Sequence, residues 1–300
     1  MSAVAFAALA SMMFGTADFL GGLASRRAPA LLVTLIASVA GFALLVPAAA
    51  SYGGTPSPID YAWSVAAGVL GGLGVALLFH VLAIGPVGSV APIVAVCGVA
   101  MPALAGLAFG ERPGALPLAG IALATVAIVL VSRTEEEPAH SGGDPPPDKR
   151  APSDAPAGPA HERASTLMLS AVAGFGLGAF LACLSRVPVG AGLWPLIVAR
   201  LAGTAAVLAV ILARRVPIRL GRESWGVSVA SGFADSGANL IYLWIVRQHP
   251  LSIVGTIVSL SPATVVLLAR VVLKERFHRR QIAGLALAAL AIVLMTARRG

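Results

Sequence analysis

Ten apolar runs, each close to the roughly 20 residues a helix needs to bridge a bilayer core, constrain this chain more than any other feature. They cover 3–25, 31–50, 61–84, 87–110 and 116–132, then 166–185, 193–213, 225–246, 251–272 and 281–296. The runs are continuous rather than alternating and about twice as long as a barrel strand, so they predict membrane-spanning helices and argue against strands. Composition agrees, with 58% hydrophobic and 11% charged residues, against roughly 25% charged in soluble domains. The net charge of +8 sits in loop-sized clusters beside the apolar runs. Lipid headgroups of the bilayer are therefore the expected partner, and nucleic acid is not. No Lys or Arg precedes the first run, as a secretory leader requires, so 3–25 is expected to be a retained first helix. Cys97 and Cys183 fall inside apolar runs and carry no disulfide or metal spacing.

The fifth and sixth runs are separated by 134–165, which contains EEEP and GDPPPDKRAPSDAPAGPA. Seven of the thirteen acids of the chain lie there, among Pro, Gly and Ser and without apolar periodicity. A disordered, solvated linker is the expectation.

The two sides of that linker repeat one another. LAGIALATVAIVL from Leu118 and IAGLALAALAIVL from Ile282 are identical at nine of thirteen positions, at an offset of 164 that also lays Glu111-Arg112 on Glu275-Arg276. FGTADFL from Phe14 matches FGLGAFL from Phe175 at an offset of 161. Each unit holds an odd number of spans, so the second copy must cross the membrane in the opposite sense, a common device of transporters. The expected fold is an all-α membrane protein of ten transmembrane helices in two inverted five-helix repeats, 1–133 and 166–300.

The stretch from His249, HPLSIVGTIVSLSPATVVLLARVVLKERFHRRQIAGLALAALAIVL, carries a Ser-rich helix start, Pro262 thirteen residues before Glu275, and a Gly-containing apolar helix. In these features the chain resembles the EamA group of the drug/metabolite transporter superfamily, over both halves and without the linker. The first half departs from the pattern, with Gly98 thirteen residues before Glu111. Arg200 resembles the family's arginine near the start of the second helix of a repeat, and the first half has no counterpart. The resemblance implies a central cavity lined by the first four helices of each half, with the fifth and tenth peripheral. It also implies movement of small metabolites, a superfamily range that spans amino acids, toxic compounds, sugar phosphates and nucleotide sugars. The odd-numbered loops hold fourteen Lys and Arg and the even-numbered five, so the positive-inside rule puts both termini outside. Relatives are usually drawn the other way.

Polar residues inside apolar runs are where chemistry is expected, because an acid at mid-bilayer costs roughly 2.5–3.5 kcal/mol on insertion scales. Asp18 sits mid-span between Gly15 and Gly22. A carboxyl removed from water can trade between charged and neutral forms, which makes Asp18 a candidate proton-coupling or substrate-cation group; a packed, hydrogen-bonded Asp is the alternative. Ser228, Ser231, Asp235, Asn239 and Tyr242 recur at helical spacing as one polar stripe, which reads as cavity lining or as interhelical hydrogen bonding. Arg200 requires an anionic or carbonyl partner, either Asp235, Asp18 or a substrate acid. His80 is a lone span histidine, a weak candidate proton relay set against ordinary packing. Trp63, Trp194 and Trp225 read as interface anchors, Trp244 as lipid-facing, and Arg270, Glu111 and Glu275 as end-of-helix groups. Gly68-xxx-Gly72 and Gly174-xxx-Gly178 fit close helix approach.

These features favour a multi-pass secondary transporter of the cell membrane, an exporter of small metabolites or drugs with protons as a candidate coupling ion. No cofactor is expected, and the chain lacks a GxxxxGK[ST] loop. A non-transporting scaffold or sensor is the alternative. An embedded enzyme ranks lower, since no HExxH or GxSxG occurs.

Overall fold

The computed structural model describes residues 3–108, 119–120, 122–123, 126, 159–246, 258, 261–274 and 279–296. Among these, every regular element is helical. We number the helices α1 (Ala3–Ser25), α2 (Ala30–Ser51), α3 (Pro58–Ile84), α4 (Val87–Ala108), α5 (Pro159–Leu184), α6 (Trp194–Arg214), α7 (Arg222–Val246), α8 (Ser261–Val272) and α9 (Arg279–Thr296). Most of the expected fifth span and of 134–165 lies outside the described residues, as do the start of the ninth span, Glu111 and Glu275. Helix α5 begins at Pro159, inside the stretch expected to be linker. A proline fits the first turn of a helix, and the Ala-His-Glu-Arg-Ala that follows favours continuation.

Five helices are long and apolar enough to cross a membrane by length and composition: Ala5–Ser25, Ala30–Ser51, Pro58–Ile84, Ala164–Leu184 and Trp194–Arg214. Stretches Val87–Gly98 and Ser261–Val272 are apolar but shorter. The described residues therefore support five of the ten expected spans by this measure. α7 is long enough at 25 residues, but its polar stripe lowers its hydropathy. Helix α3 starts earlier than its apolar run because Ser57 and Asp60 form a capping box. The Ser57 N–H and hydroxyl each donate to Asp60 Oδ2 at 2.7 Å, and Pro58 occupies the first helical position.

Helices of the two halves pack on each other in exchange-related pairs. α1 against α7 matches α3 against α5; α2 against α7 matches α3 against α6; and α1 against α8 matches α4 against α5. Direction follows from the closest approaches. Gly68 and Gly72 of α3 meet Ala199 and Gly203 of α6 in the same order, so α3 and α6 run parallel. Since α3 turns back from α2, α6 runs opposite to α2, its counterpart in the repeat. α1 and α7 run antiparallel, with Met13 against Gly237 and the Ser231 hydroxyl donating to Ala17 O. α9 packs on α4.

Side-chain size sorts these helices more than polarity does. Many of the buried positions are Ala, Gly or Ser, while Val39, Val46, Leu201, Leu208 and Leu212 face outward. In lipid, apolar contact gives no hydrophobic drive to association, so helices gain by bringing backbones close through small residues. Both expected glycine pairs lie at such contacts: Gly68 and Gly72 on α6, and Gly174 and Gly178 against Val94 and Gly98 of α4. Large apolar residues gather at one end instead, where Phe19, Leu78, Phe79, Leu82, Val87, Val90 and Val265 belong to one buried cluster.

Candidate functional site

A cavity of about 660 Å³ lies between the halves, lined by residues from α1 to α8 and none from α9. The first four helices of each half thus build it, as the sequence resemblance implies. Six of the seven candidate residues line it: Asp18, Arg200, Ser231, Asp235, Asn239 and Tyr242. His80 does not; it is exposed on α3, away from the cavity.

Arg200 of α6 and Asp235 of α7 form an ion pair, with side-chain exposures of 15% and 34%. α6 and α7 belong to the same half, but the pair is seated by the other half. A methyl group added at Gly41 of α2 would meet Ser236 Oγ at 2.3 Å and Arg200 Nη1 at 2.9 Å. Gly41 is therefore the space into which the guanidinium fits. Ser236 Oγ is buried beside it and has no hydrogen-bond partner among the described residues.

The α7 stripe divides into two roles. The Ser228 hydroxyl donates within its own helix to Ser224 O at 2.6 Å, and Ser231 bonds across to Ala17 O at 2.7 Å. These serve packing, although Ser231 still borders the cavity. Asp235, Asn239 and Tyr242 face the open space, with Asn239 Nδ2 donating to Asp235 O at 2.9 Å. Asp18 lies on the facing α1, next to Ala17, and has no hydrogen-bond or ion-pair partner among the described residues.

The cavity is asymmetric along the helices. At one end its lining reaches Val187, Pro188 and Gly192 in the loop between α5 and α6, where Pro188 is exposed. At the other end it stops on the Phe79, Leu82 and Val265 cluster. Beyond that lies a gap of about 10 Å³ beside Phe19 and Arg26, no more than one water can fill. Arg27, just after α1, pairs with Glu223 at the start of α7, joining the two halves across this closed end. Arg214, Arg215, Arg219 and Arg222 lie on the same face, at the C-terminal end of α6 and the N-terminal end of α7.

The sequence profile of the EamA-like transporter family matches residues 1–133 and 163–297. The chain belongs to the EamA-like transporter family. It is accordingly an integral membrane protein of a transporter family within the drug/metabolite transporter superfamily. No curated protein matches the chain. Among solved structures, a crystal structure of a protein 18% identical to this chain covers 98% of it and 96% of that chain at a TM-score of 0.58, a likeness of fold.

Sequence reasoning passed over Thr34, Ser38 and Gly41 of α2, the first two of which line the cavity. Their spacing of four and then three residues is the same signal that picked out α7. Single hydroxyls among apolar residues carry little weight until their neighbours are known. Asp60 was also passed over, and its role is to cap α3. Trp225, Trp194 and Trp244 are exposed, the last edge-on to Phe6 with centroids 5.0 Å apart. Trp63 receives the Arg186 guanidinium over its ring at 6.0 Å.

Proposed function

We propose that this EamA-family protein is a secondary-active carrier of the cell membrane that exports a small solute, with proton coupling. Ten helices, arranged as inverted repeats 1–133 and 166–300 around a solvated linker at 134–165, would alternate access to a midplane site. The observation that carries this reading is that Asp18, Arg200 and Asp235, drawn from the two halves, line one cavity inside a largely apolar bundle. Charged groups at that depth are costly unless they face partners or water. The absence of a nucleotide-binding loop in the sequence leaves ion or solute gradients as the energy source.

Purified protein in proteoliposomes is expected to take up components of a cellular metabolite extract, with solute-dependent proton movement. Asp18→Asn and Asp235→Asn are expected to reduce that proton movement at least tenfold. Unchanged proton flux in both variants rules out the coupling, and absence of any solute uptake rules out the carrier.

The closed end supports alternating access with a latch. The Phe79, Leu82 and Val265 layer blocks the path, and the Arg27–Glu223 pair ties α1 of one half to α7 of the other. The pair is exposed, at 66% and 74%, so its worth is at most about 1 kcal/mol. Arg27→Glu is accordingly expected to change the transport rate by up to about fivefold, with the Arg27→Glu/Glu223→Arg exchange restoring it. Identical rates in the single and the exchanged variant exclude a latch.

A further inference from the structure

We infer that the solute this cavity takes is a monovalent organic cation with an apolar body. The inference rests on the carrier reading and narrows it to a substrate class. Charge comes first. Among the lining residues the carboxylates and cationic groups are Asp18, Asp235 and Arg200. Arg200 is already joined to Asp235 and packed against Gly41. With the carboxylates ionised, the remaining charge is the single negative one on Asp18, which has no partner among the described residues. An anion entering here must break the Arg200–Asp235 pair and approach Asp18; a cation needs to do neither.

Hydrogen bonding points the same way. Several of the donors on the wall are spent within the protein. The Thr34 hydroxyl donates to Ala30 O at 2.9 Å and that of Thr204 to Arg200 O at 2.7 Å. Ser231 donates to Ala17 O and Asn239 Nδ2 to Asp235 O. Each of these hydroxyls has spent its one proton, and Asn239 keeps its Oδ1 as an acceptor. The hydroxyls of Ser38, Tyr242 and Ser261 can serve either way. The acceptors left to the cavity are the carboxylates of Asp18 and Asp235 and Oδ1 of Asn239, which suit a ligand that donates or carries positive charge.

The rest of the lining fixes the body of the solute. Phe14, Phe79, Phe180 and Tyr242 line the space together with Val, Leu, Ala and Gly, and aromatic faces attract cations within about 6 Å. At about 660 Å³ the cavity falls in the roughly 300–1,000 Å³ range that encloses drug-sized ligands.

The test uses two ions of nearly equal size and opposite charge, tetraphenylphosphonium and tetraphenylborate. Their binding to the full chain in a neutral detergent is measured by titration calorimetry against empty micelles. The phosphonium is expected to bind at least tenfold more tightly than the borate, and Asp18→Asn to weaken the phosphonium at least tenfold while leaving the borate unchanged. The comparison of the two ions on the unaltered protein stands even if the variant does not fold. Equal affinities, or a preference for the borate, overturn the inference, as does phosphonium binding that is indifferent to a folded Asp18→Asn variant. The carrier reading is separable through liposomes charged with the metabolite extract. Uptake confined to neutral or anionic components overturns the cation class and leaves the carrier standing, whereas no uptake of any component removes the carrier itself.

Discussion

Replacing Arg200 with methionine is expected to lower the thermal unfolding midpoint of the detergent-purified protein by several degrees and to abolish transport. Arg200 is the partner of Asp235, and methionine fills much of the same volume without the charge. Removing one member of a buried ion pair typically costs about 3–5 kcal/mol, because the other charge is left without compensation. Asp235 retains 34% exposure into the cavity, so water can meet part of its demand, and a loss of about 2–3 kcal/mol is the expected size after that discount. The double variant Arg200→Met/Asp235→Leu removes both charges and is expected to recover most of the midpoint while remaining unable to transport. A single variant as stable as the parent contradicts the pair as a structural element. A double variant no more stable than the single one shows that the loss came from packing around Gly41 rather than from charge.

Gly68→Leu is expected to have the larger effect on folding, leaving little or no monodisperse protein after purification. A Cβ at Gly68 would stand 1.9 Å from Ala199 O and 2.7 Å from the Ala199 carbonyl carbon. These are backbone atoms of α6, so no rotamer change can make room, and α3 must move away from α6 along its length. Overpacking a core costs typically about 1–3 kcal/mol when side chains can adjust, and here they cannot. The exchange-related contact predicts the same fate for Gly232→Leu, whose Cβ would lie 2.1 Å from Ala37 O. Gly226, whose Cβ position has no atom of another element within 4 Å among the described residues, is the control, and Gly226→Leu is expected to purify like the parent. Size-exclusion profiles of the three variants decide this; normal behaviour of Gly68→Leu removes the close α3–α6 approach.

The helices themselves were readable without coordinates. The run at 3–25 coincides with α1, and those at 31–50 and 193–213 miss their helices by one residue at each end. Long apolar segments have one way to satisfy their backbone in lipid, so length and composition suffice there. At α3 polar chemistry moved the boundary: the Ser57–Asp60 box carried the helix back to Pro58. The repeat was legible too, because two copies kept enough identity around Leu118 and Ile282.

The site was legible as an inventory of costly residues and illegible as an arrangement. Asp18, Arg200 and Asp235 stand out in the sequence because ionisable groups are rare in apolar helices. Which acid pairs with Arg200 was open, since both aspartates were available and neither spacing nor composition ranks them. The packing chose Asp235: α6 and α7 bring the two side chains together, and the missing side chain of Gly41 admits the guanidinium. Ser231 and Asp235 look equivalent on a helical stripe, yet one meets Ala17 O and the other faces the cavity. His80 carries the same chemical promise as any span histidine and was set outside the cavity by the rotation of α3. Sequence by itself determined the helical, membrane-embedded, repeated character of this protein, because hydropathy and backbone satisfaction are properties of segments. Only the tertiary structure decided which charges are neutralised and which is left facing the cavity, because pairing depends on how close two helices come, and that is set by glycines far from the charges in the chain.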